Sequence, residues 1–289
     1  MLLQLIVSGI ALGSIYALLG LALVLVHKAT DTINFGQGEM AMLTTFVGLS
    51  LLTHTGLPLP VVAVLCCLLG AVSGAVVYRV LIHPLIGRAH VSQLIATLGL
   101  FTALNALAGQ IWGYDAYRFP SLVGSAPIEI GGARLAPQSL LIIGVSAVLM
   151  AVLYVFFEHT RVGVGMRAAS ANRWAAKLMG IPVMRASVAA WAIAGAIGSI
   201  AGLLIAPVTF LDVEMMVPIL LKAFAGAILG GFSSLPGAVI GGIGVGVIEV
   251  LFGALLSTAF KDAFSFVLIV VVLMFRPAGL FSRVAVKKV

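Results

Sequence analysis

The sequence predicts an all-α integral membrane protein, a polytopic bundle of about 8–9 transmembrane or re-entrant helices, and three observations predict it. Of 289 residues, 62% are hydrophobic and only 9% are charged, where a soluble domain carries about 25% charged residues. With a mean hydropathy of +1.23 the chain has too little polar surface to cover itself. Its apolar residues fall in runs of roughly 18 to 25, the length a helix needs to cross ~30 Å of hydrocarbon at ~1.5 Å per residue. No stretch alternates apolar with polar residues as a transmembrane β-barrel requires.

The first apolar run, residues 2–26, has no Lys or Arg before it and Lys28 just after it. That length and that flank read as a retained span with the N-terminus outside, not as a cleaved secretory signal. The second, 33–52, opens on polar residues, so it is open to being tilted, broken or re-entrant. Full-length runs follow at 61–82, 91–112 and 139–157, then at 187–206, 215–231 and 237–256. The last run, 263–275, is short for a complete crossing. The longest polar connections are 113–138 and 158–185, too short for a further soluble domain, and residues 1–289 read as a single transmembrane domain.

The cations test this count, because each crossing swaps sides while Lys and Arg collect in the cytoplasm. With the N-terminus outside, the inner ends receive Lys28, Arg79, Arg88, the five cations from Arg161 to Arg185, and Arg276, Arg283, Lys287 and Lys288. The outer connections receive only Arg118, Arg134 and Lys261, and the C-terminus is cytoplasmic. The net charge of +7 is therefore a topology signal and not a nucleic-acid surface, since no single face gathers it. Cys66 and Cys67 are adjacent in an apolar run, a spacing that suits neither a disulfide nor a zinc site. Many of the 33 glycines stand four apart, as at Gly9 and Gly13, Gly226 and Gly230, and Gly242 and Gly246. Such pairs let helix backbones approach closely in lipid.

Enzyme chemistry finds little purchase. No Lys follows a Gly, so the chain lacks the GxxxxGK[ST] phosphate loop and any ATP would be bound elsewhere. The five His form no HExxH or tight carboxylate cluster, and no GxSxG elbow occurs. Energy for active transport would come from another subunit or from an ion gradient.

Two groups of residues stand out. The stretch 158–185 is basic and Ala-rich, and its middle, 166–179, favours one short helix closed by Gly180 and Pro182. It reads either as a topogenic basic loop or as a helix across the inner mouth that docks on a cytoplasmic partner. Polar side chains inside apolar runs are costly and are functional candidates. These are Glu39, Asn105, Lys222 and Glu249. Counting ~1.5 Å per residue puts Lys222 about 15 Å and Glu249 about 12 Å below the outer surface on neighbouring antiparallel segments, so an ion pair is the preferred reading over substrate contact. The same count puts Glu39 about 10 Å from the inner end of its run, where it would bridge helices near an inner gate.

The stretch 158–185 resembles the coupling region of permeases in bacterial ABC importers of the branched-chain amino acid (LivH and LivM) family, GxxxRAxxxNxxAAxLMGI. Gly163, Arg167, Ala168, Asn172, Ala175, Ala176, Leu178, Met179, Gly180 and Ile181 match it. Asn34, Phe35, Gly36, Gln37, Gly38 and Glu39 resemble the family's NFAxGE element, with Gly36 where Ala is more usual. Residues 234–242, SLPGAVIGG, resemble its late Gly-rich element, and the opening GIALGSIYALLGLALVLV its first helix. The lack of a long N-terminal extension favours the LivH type.

The resemblance implies the fold of an ABC importer permease in a bacterial inner membrane, with a coupling helix around residues 160–182. It implies a second, LivM-like permease subunit, two cytoplasmic LivG/LivF-like ATPases that bind the ATP and Mg, and a periplasmic substrate-binding protein. The chain itself would hold no cofactor and catalyse no bond chemistry. Gly163, Arg167, Ala168, Asn172, Ala175, Ala176 and Gly180 would then couple to the ATPases, with Arg167 and Asn172 as polar contacts. Asn34, Gln37, Gly38, Glu39 and Asn105 are candidates for the translocation path or gate. The expected cargo is a branched-chain or other apolar amino acid. Alternatives are a permease for urea, short amides or another small solute, or a secondary transporter working alone with Lys222, Glu249 and Glu39 coupled to protons.

Overall fold

The computed structural model describes residues 2–124, 126–130, 133–232, 234–257, 260–276 and 279–280. Arg283, Lys287 and Lys288, and with them the expected cytoplasmic tail, lie outside the described residues.

Each of the nine apolar runs forms a helix. These are α1 (Leu2–Thr30), α2 (Gln37–Thr55), α3 (Leu59–Val77), α4 (His90–Trp112) and α5 (Pro137–His159). Two short helices, α6 (Arg161–Ala171) and α7 (Arg173–Leu178), precede α8 (Val183–Thr209), α9 (Val217–Gly230), α10 (Leu235–Leu255) and α11 (Lys261–Phe275). A π turn (Tyr78–Ile82) and a 3-10 turn (His83–Leu85) extend α3. A small hairpin of β1 (Ile128–Ile130) and β2 (Ala133–Leu135), paired antiparallel with Ile128 opposite Leu135, lies in the 113–138 connection.

Among the described residues, six helices are long and apolar enough to cross a membrane: α1, α3 with its extension, α4, α5, α8 and α10. At 14 residues, α9 spans only ~21 Å. Both α2 and α9 are reached through irregular backbone, 31–36 and 210–216 respectively. Unpaired backbone at membrane depth is tolerated only where protein surrounds it.

The helix α1 is the axis of the bundle. Its spanning window is 89% buried, against 17% for α4 and α5, because α10, α8, α9 and α5 pack around it. Small residues set this packing. A Cβ built on Gly13 would lie 2.7 Å from the Ile243 Cα, and one on Gly226 would lie 2.6 Å from the Gly242 Cα. These glycines let α1, α9 and α10 meet backbone to backbone, where dispersion replaces the missing hydrophobic force.

The two faces of the bundle are distinct. One end carries the hairpin, where Tyr117 and Leu211 form an isolated bridge. The other carries α6 and α7, and the last turn of α1 is held there: the Arg173 guanidinium of α7 and the Ser187 hydroxyl of α8 donate to the Ala29 carbonyl.

Candidate functional site

Three polar constellations are built into or onto this apolar bundle. The first surrounds the beginning of α2. The irregular segment 31–36 runs along α4: Thr32 bonds the Gln93 side chain, Thr97 donates to the Ile33 carbonyl (3.1 Å), and Gly36 faces Leu100. The Asn34 side chain then turns the chain, its Oδ1 accepting from the Gly36 amide (3.1 Å) and its Nδ2 donating to Gln37 Oε1 (3.1 Å). Gln37 in turn donates to the Ala194 carbonyl of α8 (2.8 Å). Gly38 is bare because a Cβ there would stand 3.3 Å from the Met216 Cβ at the head of α9.

Glu39 stands beside Asn105, whose Nδ2 donates to Glu39 Oε2 (3.3 Å) and to the Val213 carbonyl (2.9 Å). The candidates Asn34, Gln37, Glu39 and Asn105, with Gly38 beside them, thus come together where the two irregular segments approach each other. Glu39 is 1% exposed, and its Oε1 has no partner among the described residues.

Along α4, Ile33 meets Thr97 and Glu39 meets Asn105, so Glu39 stands about 12 Å beyond the start of its run.

The second constellation joins α9, α10 and α1. Lys222 Nζ lies 2.6 Å from Glu249 Oε1, with side chains 8% and 3% exposed. Tyr16 donates to the other carboxylate oxygen (2.9 Å), and the ammonium sits 5.9 Å from the Tyr16 ring centre. Sequence reasoning missed Tyr16. Its available signal was a lone phenol in the middle of an apolar run, since a buried Tyr hydroxyl ordinarily needs a partner.

The third is the α6–α7 element. The expected single helix over 166–179 is two helices, and Asn172 is the break. Its backbone is extended (φ −156°, ψ 106°), and its Oδ1 accepts from the Ala175 amide (3.0 Å), capping α7. Asn172 therefore acts first on its own chain. Thr160 caps α6 in the same way through the Gly163 amide (3.0 Å).

Gly163 is needed for packing, since a Cβ there would meet the Phe157 Cα at 2.6 Å. Gly180 ends the element at φ +75°, a left-handed conformation that favours glycine. Arg167 is tied to Glu158, 2.5 Å from its carboxylate. Ala168 is half-buried and Ala175 exposed, but Ala176, chosen from sequence as a docking-face residue, is buried at 4%. Solvent instead meets Trp174, Leu178 and Met179, 78%, 86% and 82% exposed, with Lys177 over the Trp174 ring. Soluble surfaces rarely leave such large apolar side chains grouped and uncovered.

Among the described residues no three His, Cys, Asp or Glu are placed to hold a metal ion. The arrangement is one of packed helices, two interrupted helix starts and an apolar protrusion at one end.

Comparison with known proteins agrees with this architecture. The chain is 32% identical to the high-affinity branched-chain amino acid transport system permease protein LivH of Salmonella typhimurium, over 99% of this chain and 97% of that one. It is 29% identical to the corresponding permease protein BraD of Pseudomonas aeruginosa, over 99% and 98%. Its fold is similar to that of PsaBC from Streptococcus pneumoniae, solved in complex with Fab, at a TM-score of 0.52 and 14% identity, covering 95% of this chain and 91% of that one. The profile of the family described as branched-chain amino acid transport system / permease component matches residues 5–273, and this multi-pass membrane protein belongs to that family.

Proposed function

We propose that the chain is the permease subunit of a bacterial ABC importer that passes branched-chain or other apolar amino acids across the inner membrane. The cargo arrives from a periplasmic binding protein, and ATP with Mg is hydrolysed in two cytoplasmic ATPase subunits. A second, related permease subunit completes the path. The N-terminus faces outside, and the α6–α7 end and the C-terminus face the cytoplasm, in keeping with the Lys and Arg distribution. Each nucleotide state of the ATPases prefers one arrangement of the helices, so hydrolysis alternates the side to which the path opens. This chain holds no cofactor in that cycle and makes or breaks no covalent bond in the cargo.

The observation that carries the reading is the exposed Trp174, Leu178 and Met179 group on a capped, two-helix element that grips the last turn of α1. An aromatic anchor flanked by aliphatic side chains is what a groove on a partner protein takes up. The grip on Ala29, and the packing of α6 and α7 against α8, give a displacement of the anchor a route into the central helix.

The test is Trp174→Ala combined with Leu178→Asp, in cells that also produce the partner permease, the ATPases and the binding protein. Loss of a central aromatic anchor weakens an interface by about 2 kcal/mol or more, roughly 30-fold. The variant should insert and fold normally, while ATPase subunits copurify poorly and binding-protein-stimulated ATP hydrolysis falls. Wild-type recovery of the ATPases would sink the coupling role. Ala176→Trp is a poor substitute, because its buried site makes it an overpacking mutation that disturbs α7 itself.

A further inference from the structure

One carboxylate oxygen in the core is left with its acceptor capacity unused. Glu39 is buried, and its Oε1 has no hydrogen-bond partner among the described residues, while Oε2 is taken by Asn105. The segment 210–216 brings a second carboxylate, Glu214, near enough for its charge to act on Glu39. A buried carboxylate beside a like charge is best complemented by a group that carries both positive charge and N–H donors.

What covers this oxygen is a seam. On one side is α4, which is mostly exposed and packs chiefly on α2. On the other is the segment 210–216. Asn105 Nδ2 crosses the seam to the Val213 carbonyl (2.9 Å), and Tyr117, just past α4, exchanges both backbone hydrogen bonds with Leu211 (2.8 and 2.9 Å). The Tyr117 hydroxyl ties this link to α4 by donating to the Trp112 carbonyl (2.6 Å). The segment leaves α8 through Phe210 at φ 66° and ψ 161°, a strained backbone for a residue with a side chain, and such strain gathers at clamps and switches. Asn105 lies about 10 Å along α4 from Trp112, so the seam leads from that end of the bundle down to Glu39.

We propose that Glu39 is the seat for the α-ammonium of the amino-acid cargo, reached when the seam between α4 and segment 210–216 parts. The proposal rests on the importer reading above and adds which group of the cargo this chain recognises, and where. The ammonium donates to Oε1 while Oε2 stays with Asn105, and Glu214 draws a cation toward the seam. Met216 and Leu220, which pack on Gly38, offer an apolar wall to the cargo's side chain. Methionine suits that task, since its flexible thioether adapts to differing aliphatic shapes.

The experiment takes the complete complex with its binding protein in proteoliposomes, and supplies photo-leucine, an amino acid with a diazirine in its side chain, as cargo. On illumination the label should appear in peptides containing Glu39, Asn105 or Glu214. Glu39→Gln keeps an acceptor for Asn105, and thermal unfolding verifies that it is folded. It should carry about ten-fold less label, the loss of one charge-assisted hydrogen bond. The seam is tested by Tyr117→Cys combined with Leu211→Cys, because residues paired in this way stand about 5.5 Å apart at Cα, within reach of a disulfide. Oxidation of the pair should stop leucine uptake, and a reductant should restore it in the same vesicles. Three results would overturn the proposal: label confined to other segments or to the second permease subunit, undiminished label in folded Glu39→Gln, or wild-type uptake through the fully oxidised pair. Label at the seat in vesicles whose uptake ignores ATP would uphold the seat and refute the importer reading instead.

Discussion

Lys222→Met should be among the most damaging single substitutions in the membrane core, and its cost can be worked from the geometry. The ammonium and carboxylate are 2.6 Å apart with side chains 8% and 3% exposed. At an effective dielectric of about 20 their gross attraction is roughly 6 kcal/mol. Most of that is offset by the desolvation of both ions, so the pair contributes little net stability while intact. Removing one ion leaves the other's desolvation uncompensated, which costs about 3–5 kcal/mol. Two features pull Lys222→Met toward the lower end: Tyr16 still donates to the carboxylate at 2.9 Å, and a lone carboxyl can take up a proton.

Glu249→Gln leaves the ammonium without its counter-ion, though the new amide oxygen can still accept from Tyr16. The double variant carries no ion, so its loss should be smaller than the two single losses added, by a coupling energy of about 0.5–3 kcal/mol. The assay is the apparent free energy of unfolding in detergent micelles for the four proteins of the cycle. Additivity within about 0.5 kcal/mol would refute the reasoning, since groups in contact should couple.

Three further outcomes are expected. Gly13→Val should abolish assembly of the bundle because its Cβ would fall 2.7 Å from the Ile243 Cα, whereas Gly144→Ala, with nothing within 4 Å, should stabilise α5 by about 0.5–1 kcal/mol; folded yield and thermal unfolding separate the two. Asn105→Leu removes the donor shared by Glu39 and the Val213 carbonyl, and should cost about 1–3 kcal/mol and slow uptake, read by unfolding and by transport into vesicles. Lys177→Cys, on the exposed face of α7, should react with a membrane-impermeant thiol reagent only from the cytoplasmic side, and labelling of intact cells from outside would invert the proposed orientation.

Composition and run length alone determined the all-helical membrane class and the approximate position of every long helix, because crossing hydrocarbon demands about 20 apolar residues in a row and few other structures permit them. The contact of Lys222 with Glu249 was expected from the same count, since both sit on regular helices of known rise. The irregular backbone of 31–36 was not legible, because an apolar run does not distinguish a helix from a buried irregular stretch. From its matching motif Asn172 read as a polar contact within one helix, and only the backbone dihedrals made it the break between α6 and α7. Ala176 and Trp174 lie two residues apart, and their opposite exposures depend on which face of α7 meets the bundle. Tyr16 joined the ion pair only once α1 was seen to run through the centre, a placement set by glycines on three helices separated by more than 200 residues. Sequence period specifies what a segment is; which segment it touches is decided by packing across the whole chain, which no local pattern encodes.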